Sequence, residues 1–356
     1  MPQNPKSLDV TVVLPGLMLI EQEAFRPFVA QAVKQGARLP ALELILSRGR
    51  LYNGNDAAFE SVLFGLFGLS DNNDKDVPMA ALNWLLYHGE ISNHWMMRAD
   101  PVLVQPNRDH LMMMGNDVLD ISDDEAQQIV DDINATYSDT PWQLHALSAM
   151  HWVIQCPEPQ ALTTYPLASV LGKNISHYLP QGDDAAPWHA LMNEMQMLLY
   201  THPVNREREA KGSPAINSVW LWGSGRLPAA DDKQQNISFV QCWSNNPLAQ
   251  SLARLQNVPR VDLPSDGETW LKQVVTGGRH LLVIDDLNIP ATVLQPYDWW
   301  QDLVRINNQW LQPLVDALKT GDIDRLEIVT DGGRRCELTA ALAKRWWKRI
   351  QSLDKN

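Results

Sequence analysis

Three short apolar runs, each closed by turn-forming or acidic residues, constrain the fold of this chain more than any other feature. They are LDVTVVL (8–14), which Pro15 and Gly16 follow, HLLVIDDL (280–287) and RLEIVTDG (325–332). Strand patterns of this kind alternate along the chain with helical patterns. Short apolar strands alternating with helices are typical of a parallel sheet buried on both faces. The sequence therefore predicts an α/β core with a mostly parallel sheet sandwiched by helices.

The middle of the chain follows a different pattern. Two strands, a helix and a hairpin are predicted at 95–104, 110–114, 121–137 and 142–156. Ser122 with Glu125 three residues later forms a capping-box pattern at the start of that helix. This order interrupts the alternation and is α+β in character. We therefore predict an inserted α+β domain at 91–199, with the core formed by 1–90 and 200–356.

Composition excludes several classes of protein. The formal net charge of −13 argues against a nucleic-acid partner, because neutralising phosphates requires clustered Lys and Arg. No apolar run approaches the roughly 20 residues of a spanning helix, so no integral membrane segment is expected. Three cysteines without a CxxC pair fit a reducing compartment, and the first residues lack a signal-peptide pattern. A cytoplasmic location is predicted.

The stretch THPVNREREAKGSPAINSVWLWGSGRLP (201–228) contains the densest set of polar and turn-forming residues. Its candidate ligand-binding residues are Asn205, Arg208, Asn217, Gly223, Gly225 and Arg226. Arginine forks and glycine backbone could hold the phosphate or carboxylate of a small ligand. The stretch could equally be a structural crossover in which Asn side chains satisfy loop backbone groups. The sequence leaves both interpretations open.

Two further groups of charged residues are candidates for a site. Arg98 and Asp100 share one face of a predicted strand and could line a pocket, although a surface pair or a bridge between domains is the favoured interpretation. Asp285, Asp286 and Asp331 follow predicted strands, where paired carboxylates could hold a hard cation. Here the favoured interpretation is that they cap helices or turns.

The pattern CELTAALAKRWWKRI (336–350) predicts a C-terminal helix with one apolar face surrounded by basic residues. The apolar face comprises Leu338, Leu342, Trp346 and Ile350, and the basic residues are Lys344, Arg345, Lys348 and Arg349. Such a helix could dock on a protein partner or an anionic membrane. It could also pack on its own domain, with its cations favourably placed at the helix end.

Several of these motifs resemble a known family. WMMRADPV, NEMQMLLYTHPVN and REAKGSPAINSVWLWGSG resemble the RpfE-type family of regulatory proteins (regulation of pathogenicity factors), whose members are often labelled phosphoglycerate mutase. The chain is more distantly similar to archaeal-type cofactor-independent phosphoglycerate mutases of the alkaline phosphatase superfamily. The resemblance implies an alkaline-phosphatase-like core.

The resemblance also implies that catalytic groups have been lost. Pro15 stands where the superfamily carries a metal-binding Asp, and Phe59-Glu60 fall near its nucleophile, unless Ser61 serves after a register shift. Asp285 and Asp331 keep a carboxylate but lack the adjacent His, and Trp222 replaces an Arg. This set implies a regulatory or ligand-sensing pseudoenzyme that needs no cofactor.

Two alternatives remain open beside the pseudoenzyme. The first is an active phosphoglycerate mutase or phosphatase with a rearranged metal site, which would require Mn or Zn. The second is a scaffold protein that binds a partner through the basic, tryptophan-containing C-terminal helix.

Overall fold

The computed structural model describes residues 7–21, 23–54, 58–69, 77–108, 110–227, 239–288 and 296–355. The chain forms two compact units: a core unit of Met1–Ser70 with Lys233–Asn356, and an inserted unit of Asp71–Asp232. The inserted unit is wider than the predicted 91–199. The residues before and after that range join it because they supply a helix and a strand that pack on its sheet.

Strands and helices alternate in the core unit, while the inserted unit combines an antiparallel sheet with helices. The strands are β1 (Leu8–Leu14), β2 (Arg50–Tyr52), β3 (Trp95–Asn107), β4 (His110–Gly115), β5 (Gln143–Ser148), β6 (His151–Cys156), β7 (Ser218–Gly225), β8 (Phe239–Ser244), β9 (Arg260–Val261), β10 (Gly278–Val283), β11 (Arg325–Thr330) and β12 (Arg335–Thr339). The α-helices are α1 (Arg26–Lys34), α2 (Pro40–Arg48), α3 (Phe59–Leu66), α4 (Met79–His88), α5 (Asp123–Thr136), α6 (Leu167–Val170), α7 (Ala185–Thr201), α8 (Pro203–Ala210), α9 (Pro247–Leu255), α10 (Gly267–Gln273), α11 (Pro296–Ile306), α12 (Gln312–Thr320) and α13 (Ala340–Ala343).

The core unit contains a seven-stranded sheet in the order β2-β12-β11-β1-β10-β8-β9. Pairing is parallel from β11 through β9, and β12 is antiparallel to both of its neighbours. Val12 on β1 lies between Leu282 and Ile328 of the flanking strands. Val12 and Val13 point to opposite faces of the sheet and both are fully buried. Burial on both faces explains why these strands are mostly apolar on both faces, and the parallel sheet with its helices confirms the predicted α/β class.

Tryptophans and one buried amide organise the helical layer on one face of this sheet. Trp270, Trp299 and Trp310 are almost completely buried. A π-helical turn at Asn307–Leu311 connects α11 to α12. There the buried Asn307 Oδ1 accepts a hydrogen bond of 3.1 Å from the Leu42 N–H in the first turn of α2, satisfying a donor that the helix itself cannot pair.

The inserted unit is built on an antiparallel sheet in the order β4-β3-β6-β5, with β7 also pairing with β3. The predicted capping box is confirmed: the Ser122 hydroxyl accepts from Glu125 N–H, and the Glu125 carboxylate accepts from Ser122 N–H. Helix α7 buries Trp188 and Met195, as the periodicity of its sequence predicts.

The predicted C-terminal helix at 336–350 is wrong. Residues 335–339 form strand β12, where Leu338 pairs with Leu326 of β11, and only the four-residue α13 follows. The apolar residues at 336 and 338 fit a strand as well as 338 and 342 fit a helix, and pairing with a buried strand decides between the two. Trp346 and Trp347, assigned to the helix, are 81% and 69% exposed.

No helix in the described part of the chain is long and apolar enough to cross a membrane.

Candidate functional site

Arg98 and Asp100 form a buried ion pair within the inserted unit. Both project from one face of β3 and are only 4% and 1% exposed. Arg98 Nε donates to Asp100 Oδ1 at 2.8 Å, and Arg98 Nη1 donates to Asn83 Oδ1 at 2.6 Å. Trp222 Nε1 donates to Asp100 Oδ2 at 2.7 Å, and its ring centroid lies 5.2 Å from the Arg98 guanidinium carbon. The surface-pair interpretation is therefore wrong, because paired and fully hydrogen-bonded charges are a feature of the interior.

The surroundings of His151, which include this ion pair, lower the pKa of its imidazole. Burial is the largest cause that lowers its pKa, and the Arg98 charge lowers the pKa further against an opposing effect of Asp100. Its Nδ1 is 3.0 Å from the Tyr87 hydroxyl. The cluster thus combines a buried ion pair with a partly buried imidazole.

The Arg208 side chain forms all of its hydrogen bonds with groups of the inserted unit. Its side chain is 2% exposed. Nε donates to Pro214 O at 2.9 Å, while Nη1 donates to Asp120 O at 3.3 Å and to the Glu125 carboxylate at 2.8 Å. Nη2 donates to Leu119 O. The guanidinium thus connects α8 to the start of α5 and presents no free face to a ligand.

The side chains of the two asparagines in the same stretch form hydrogen bonds with nearby backbone groups. Asn205 Nδ2 donates to Leu199 O and to Ile216 O, each at 2.7 Å, and its Oδ1 accepts from Ile216 N–H at 2.8 Å. Asn217 pairs with both backbone groups of Val104, accepting at 2.9 Å and donating at 2.8 Å. These contacts match the crossover interpretation, in which amide side chains replace missing strand partners.

The glycines allow close packing of the backbone. Gly223 has a φ of +62°, and a Cβ there would lie 2.7 Å from the Met79 Cβ. Its N–H donates to the Thr164 hydroxyl at 2.9 Å, so it is not free for an anion. Gly225, at φ +146°, approaches Pro78 in the same way. Arg226 is exposed, and its Nη2 donates to Pro157 O at 2.6 Å. Across the described residues 201–227, the contacts favour a structural crossover over an anion site.

The carboxyl edge of the core sheet brings together the ends of β1, β10 and β11. Asp331, after β11, accepts from the Gly16 N–H after β1 at 3.0 Å, and burial raises the pKa of its carboxyl. Asp285, after β10, accepts from Asn246 Nδ2 at 2.7 Å. Asp286 pairs with Arg305 at 2.8 Å. Each of these carboxylates is therefore engaged by a neighbouring protein group, and of the three contacts only that of Asp331 is with a backbone N–H, as in a cap.

The donor set at this edge does not fit a dinuclear metal centre. Within the described ranges, no group of three or more His, Cys, Asp or Glu side chains is arranged to hold a metal ion. The nucleophile position falls in the first turn of α3, where Phe59 is buried and burial raises the pKa of Glu60. Neither side chain offers a hydroxyl for phosphoryl transfer.

An open pocket of 460 Å³, which the sequence did not predict, lies where β2 and the β11–β12 turn reach the same edge. Its lining includes Tyr52, Gly54, Gly333 and Arg335. Gly54 packs so closely that a Cβ there would be 1.8 Å from Gly332 O. The motif DGGRR (331–335), a glycine turn followed by two arginines, was the available signal.

Arg335 supplies a positively charged side chain to this pocket. Of the two carboxylates of the lining, Glu327 pairs with Arg279 at 2.5 Å, while Glu337 lies 3.8 Å from Arg325, which also pairs with Asp9 at 2.7 Å. Arg335 forms no salt bridge with a carboxylate of the described residues. The Arg335 guanidinium, rather than the overall charge of the pocket, is the group that can bind a small anion here.

Comparison with known proteins defines the class of fold. The structure of the cofactor-independent phosphoglycerate mutase from Thermoplasma acidophilum matches over 98% of this chain and 94% of that chain, with a TM-score of 0.51 and 16% identity. The PH0037 protein from Pyrococcus horikoshii matches over 99% and 92%, with a TM-score of 0.60 and 13% identity. The core has the alkaline-phosphatase-like fold of these proteins, and the inserted α+β unit interrupts it.

Sequence relatives point to the same group. The family model of 2,3-bisphosphoglycerate-independent phosphoglycerate mutase matches residues 91–205. A probable mutase of that name from Geobacter sulfurreducens is 27% identical over 205 residues, which are 54% of this chain and 50% of the relative. A mutase from Methanothrix thermoacetophila is 44% identical over 64 residues, 18% of this chain and 16% of its own. The matches thus span about half or less of these relatives. This chain is similar to such mutases, and the comparisons do not bear on the RpfE-type label.

Proposed function

We propose that this chain is a regulatory or ligand-sensing protein on a phosphoglycerate-mutase-like scaffold, without mutase activity. The observation that carries the proposal is that the Asp residues at the carboxyl edge of the core sheet are already hydrogen-bonded to protein groups. Asp285 and Asp331 are engaged by Asn246 and by the Gly16 N–H, and Pro15 supplies no third carboxylate. A mutase of this fold class would need that edge for metals and a nucleophile. A cytoplasmic location is part of the proposal.

The ligand we propose is a small phosphorylated or carboxylated molecule, bound at the pocket with Arg335. A guanidinium binds either group through two parallel hydrogen bonds, and this one is exposed and without an ion-pair partner in the described structure. The pocket replaces the stretch 201–228 as the proposed anion site, because Arg208 and both asparagines there are used internally.

Two measurements on the purified chain test the absence of activity. Interconversion of 3- and 2-phosphoglycerate is assayed with added Mn²⁺ or Zn²⁺, using the Thermoplasma acidophilum mutase as a positive control. Metal content is measured in the same preparation. We expect no turnover above the enzyme-free rate and less than stoichiometric metal. Metal-dependent turnover would overturn the proposal.

Ligand binding is tested by calorimetric titration with inorganic phosphate and with 3-phosphoglycerate. Arg335→Met should weaken binding about tenfold or more, since a charge-assisted contact contributes roughly 1.5–3 kcal/mol. Arg334→Met is the matched control, because Arg334 is adjacent and exposed but pairs with Glu21 at 2.7 Å. Equal affinities in the two variants would remove the pocket from the proposal.

The alternative is an active mutase with a rearranged metal site. It is favoured by the names of the relatives and by the two Asp residues that remain at the strand ends. If it holds, Asp331→Asn should abolish turnover and reduce bound Mn or Zn. If the first proposal holds, the same variant changes neither.

A further inference from the structure

Two tryptophans project from the surface in the segment KRWWKR (344–349), called the tryptophan tip below. Trp346 and Trp347 are 81% and 69% exposed, whereas the other large hydrophobic side chains of the core unit are mostly buried. Their rings meet edge to face, with centroids 6.0 Å apart and planes at 85°. Exposing two adjacent indoles to water is costly, so an apolar or interfacial contact is expected for them.

The backbone of the tip is fixed to the core unit. Arg48 at the end of α2 donates from Nη1 to Ala343 O at 2.5 Å and from Nε to Lys348 O at 3.2 Å. Ser47 Oγ accepts from Gln351 N–H at 2.9 Å, and the buried Leu353 follows. A turn closes within the tip, where Lys348 N–H donates to Arg345 O at 3.0 Å. The indoles are therefore presented on an ordered base.

Four cations surround the indoles. Lys344, Arg345, Lys348 and Arg349 form no salt bridge with any described carboxylate, and the sequence contains no Asp or Glu between Glu337 and Asp354. The rest of the chain is strongly acidic: removing these four charges takes the formal net charge from −13 to −17. Beyond the Debye length of roughly 8 Å at physiological salt, that acidic remainder is screened, so the tip acts as a local positive site.

We propose that the tryptophan tip docks on an anionic lipid surface. Indoles favour the headgroup level of a bilayer, where the ring is buried and the N–H stays hydrated, and neighbouring Lys and Arg are attracted to anionic lipids. The two features occur here together, on six consecutive residues. A nucleic acid would need a basic groove long enough to follow its backbone, and four cations in one turn do not form one. The docking is peripheral and leaves the fold intact.

The test is cosedimentation of the full chain with vesicles of phosphatidylcholine containing 30% phosphatidylglycerol, against vesicles of phosphatidylcholine alone. We expect binding only to the anionic vesicles and its loss at high salt. Lys348→Gln/Arg349→Gln should lower the partition coefficient about 25-fold, at about fivefold per cation. Trp346→Ser/Trp347→Ser should lower it by at least about tenfold for each indole.

Matched controls separate the tip from general surface effects. Tyr200 is 86% exposed and lies elsewhere, so Tyr200→Ser controls for loss of an exposed aromatic. Arg206→Gln/Lys211→Gln controls for loss of two exposed cations. Neither should change partitioning by more than about twofold, since both variants keep every indole and cation of the tryptophan tip.

Quenching of tryptophan fluorescence by bromine-labelled lipid provides a second measurement that needs no variant to fold. Quenching in the unaltered chain supports insertion of indoles at the headgroup level. Binding to single-stranded DNA or to a protein partner in place of vesicles, or equal partitioning of tip and control variants, would overturn the proposal.

Discussion

Replacing Arg208 by alanine should destabilise the inserted unit strongly. The side chain donates to Pro214 O, Asp120 O and Leu119 O and pairs with Glu125, at 2% exposure. Breaking a buried, hydrogen-bonded charge network by removing one partner typically costs about 3–5 kcal/mol. We expect about 4 kcal/mol here, because three carbonyls lose their charged donor while Glu125, at 25% exposure, regains some water. For a unit of this size the melting temperature should fall by about 8–16 °C.

Urea denaturation followed by circular dichroism measures this loss, and phosphate titration measures any effect on binding. Arg206→Ala is the matched control, because Arg206 lies on the same helix and is exposed; its effect should stay within about 0.5 kcal/mol. A loss below about 1 kcal/mol for Arg208→Ala, together with weakened phosphate binding, would refute the structural role. Arg208 would then be a ligand-binding residue after all.

Three further results are expected. Gly223→Ala should destabilise the inserted unit by about 2 kcal/mol or more, since the residue has a φ of +62° and the new Cβ would clash with Met79. Gly212→Ala is the control and should cost less, because a Cβ there would have no atom within 4 Å. Equal losses of stability in denaturation would contradict the packing argument. Burial raises the pKa of Asp331 in the folded chain, so the free energy of unfolding should fall as pH rises from about 4 through that raised pKa. Asp331→Asn should remove this fall from the plot of stability against pH. An unchanged plot in pH-dependent melts would contradict this. Burial raises the pKa of all three thiols to about 12, so none should react with a thiol reagent at pH 8 until urea unfolds the chain; fast reaction of the native protein would contradict this. These thiols belong to Cys156, Cys242 and Cys336.

Patterns of apolar and capping residues over short stretches predicted most of the fold, because they depend on the burial and contacts of neighbouring residues. LDVTVVL is apolar at all four positions of one face and ends in three consecutive apolar residues, a pattern typical of a strand buried on both sides, and β1 is buried on both faces from Val10 to Leu14. The capping box at Ser122 is a contact between residues three apart, so it too is visible in the sequence. The C-terminal helix was mispredicted because its start, at Cys336 and Leu338, satisfies two periods at once.

The site was less predictable because its contacts join distant residues. Nothing near Arg98 and Asp100 in the sequence indicates that Trp222 covers them, 122 residues further on. The sequence also does not distinguish Arg208 from Arg335. Arg208 donates hydrogen bonds to carbonyls that lie 88 and 89 residues away, whereas Arg335 lines a pocket. Which arginine can bind a ligand is decided by tertiary packing, which single-sequence patterns do not contain.

The central position of β1 has a consequence for synthesis on the ribosome. Its neighbours, β10 and β11, begin 270 or more residues later in the chain. At roughly 5–20 residues per second, the first strand waits on the order of tens of seconds before either partner exists. The inserted unit, by contrast, is contained within Asp71–Asp232 and can complete its antiparallel sheet meanwhile. The mostly apolar segment 8–14 is thus left without its strand partners for most of synthesis, and we expect a chaperone that holds the nascent chain to protect it from aggregation.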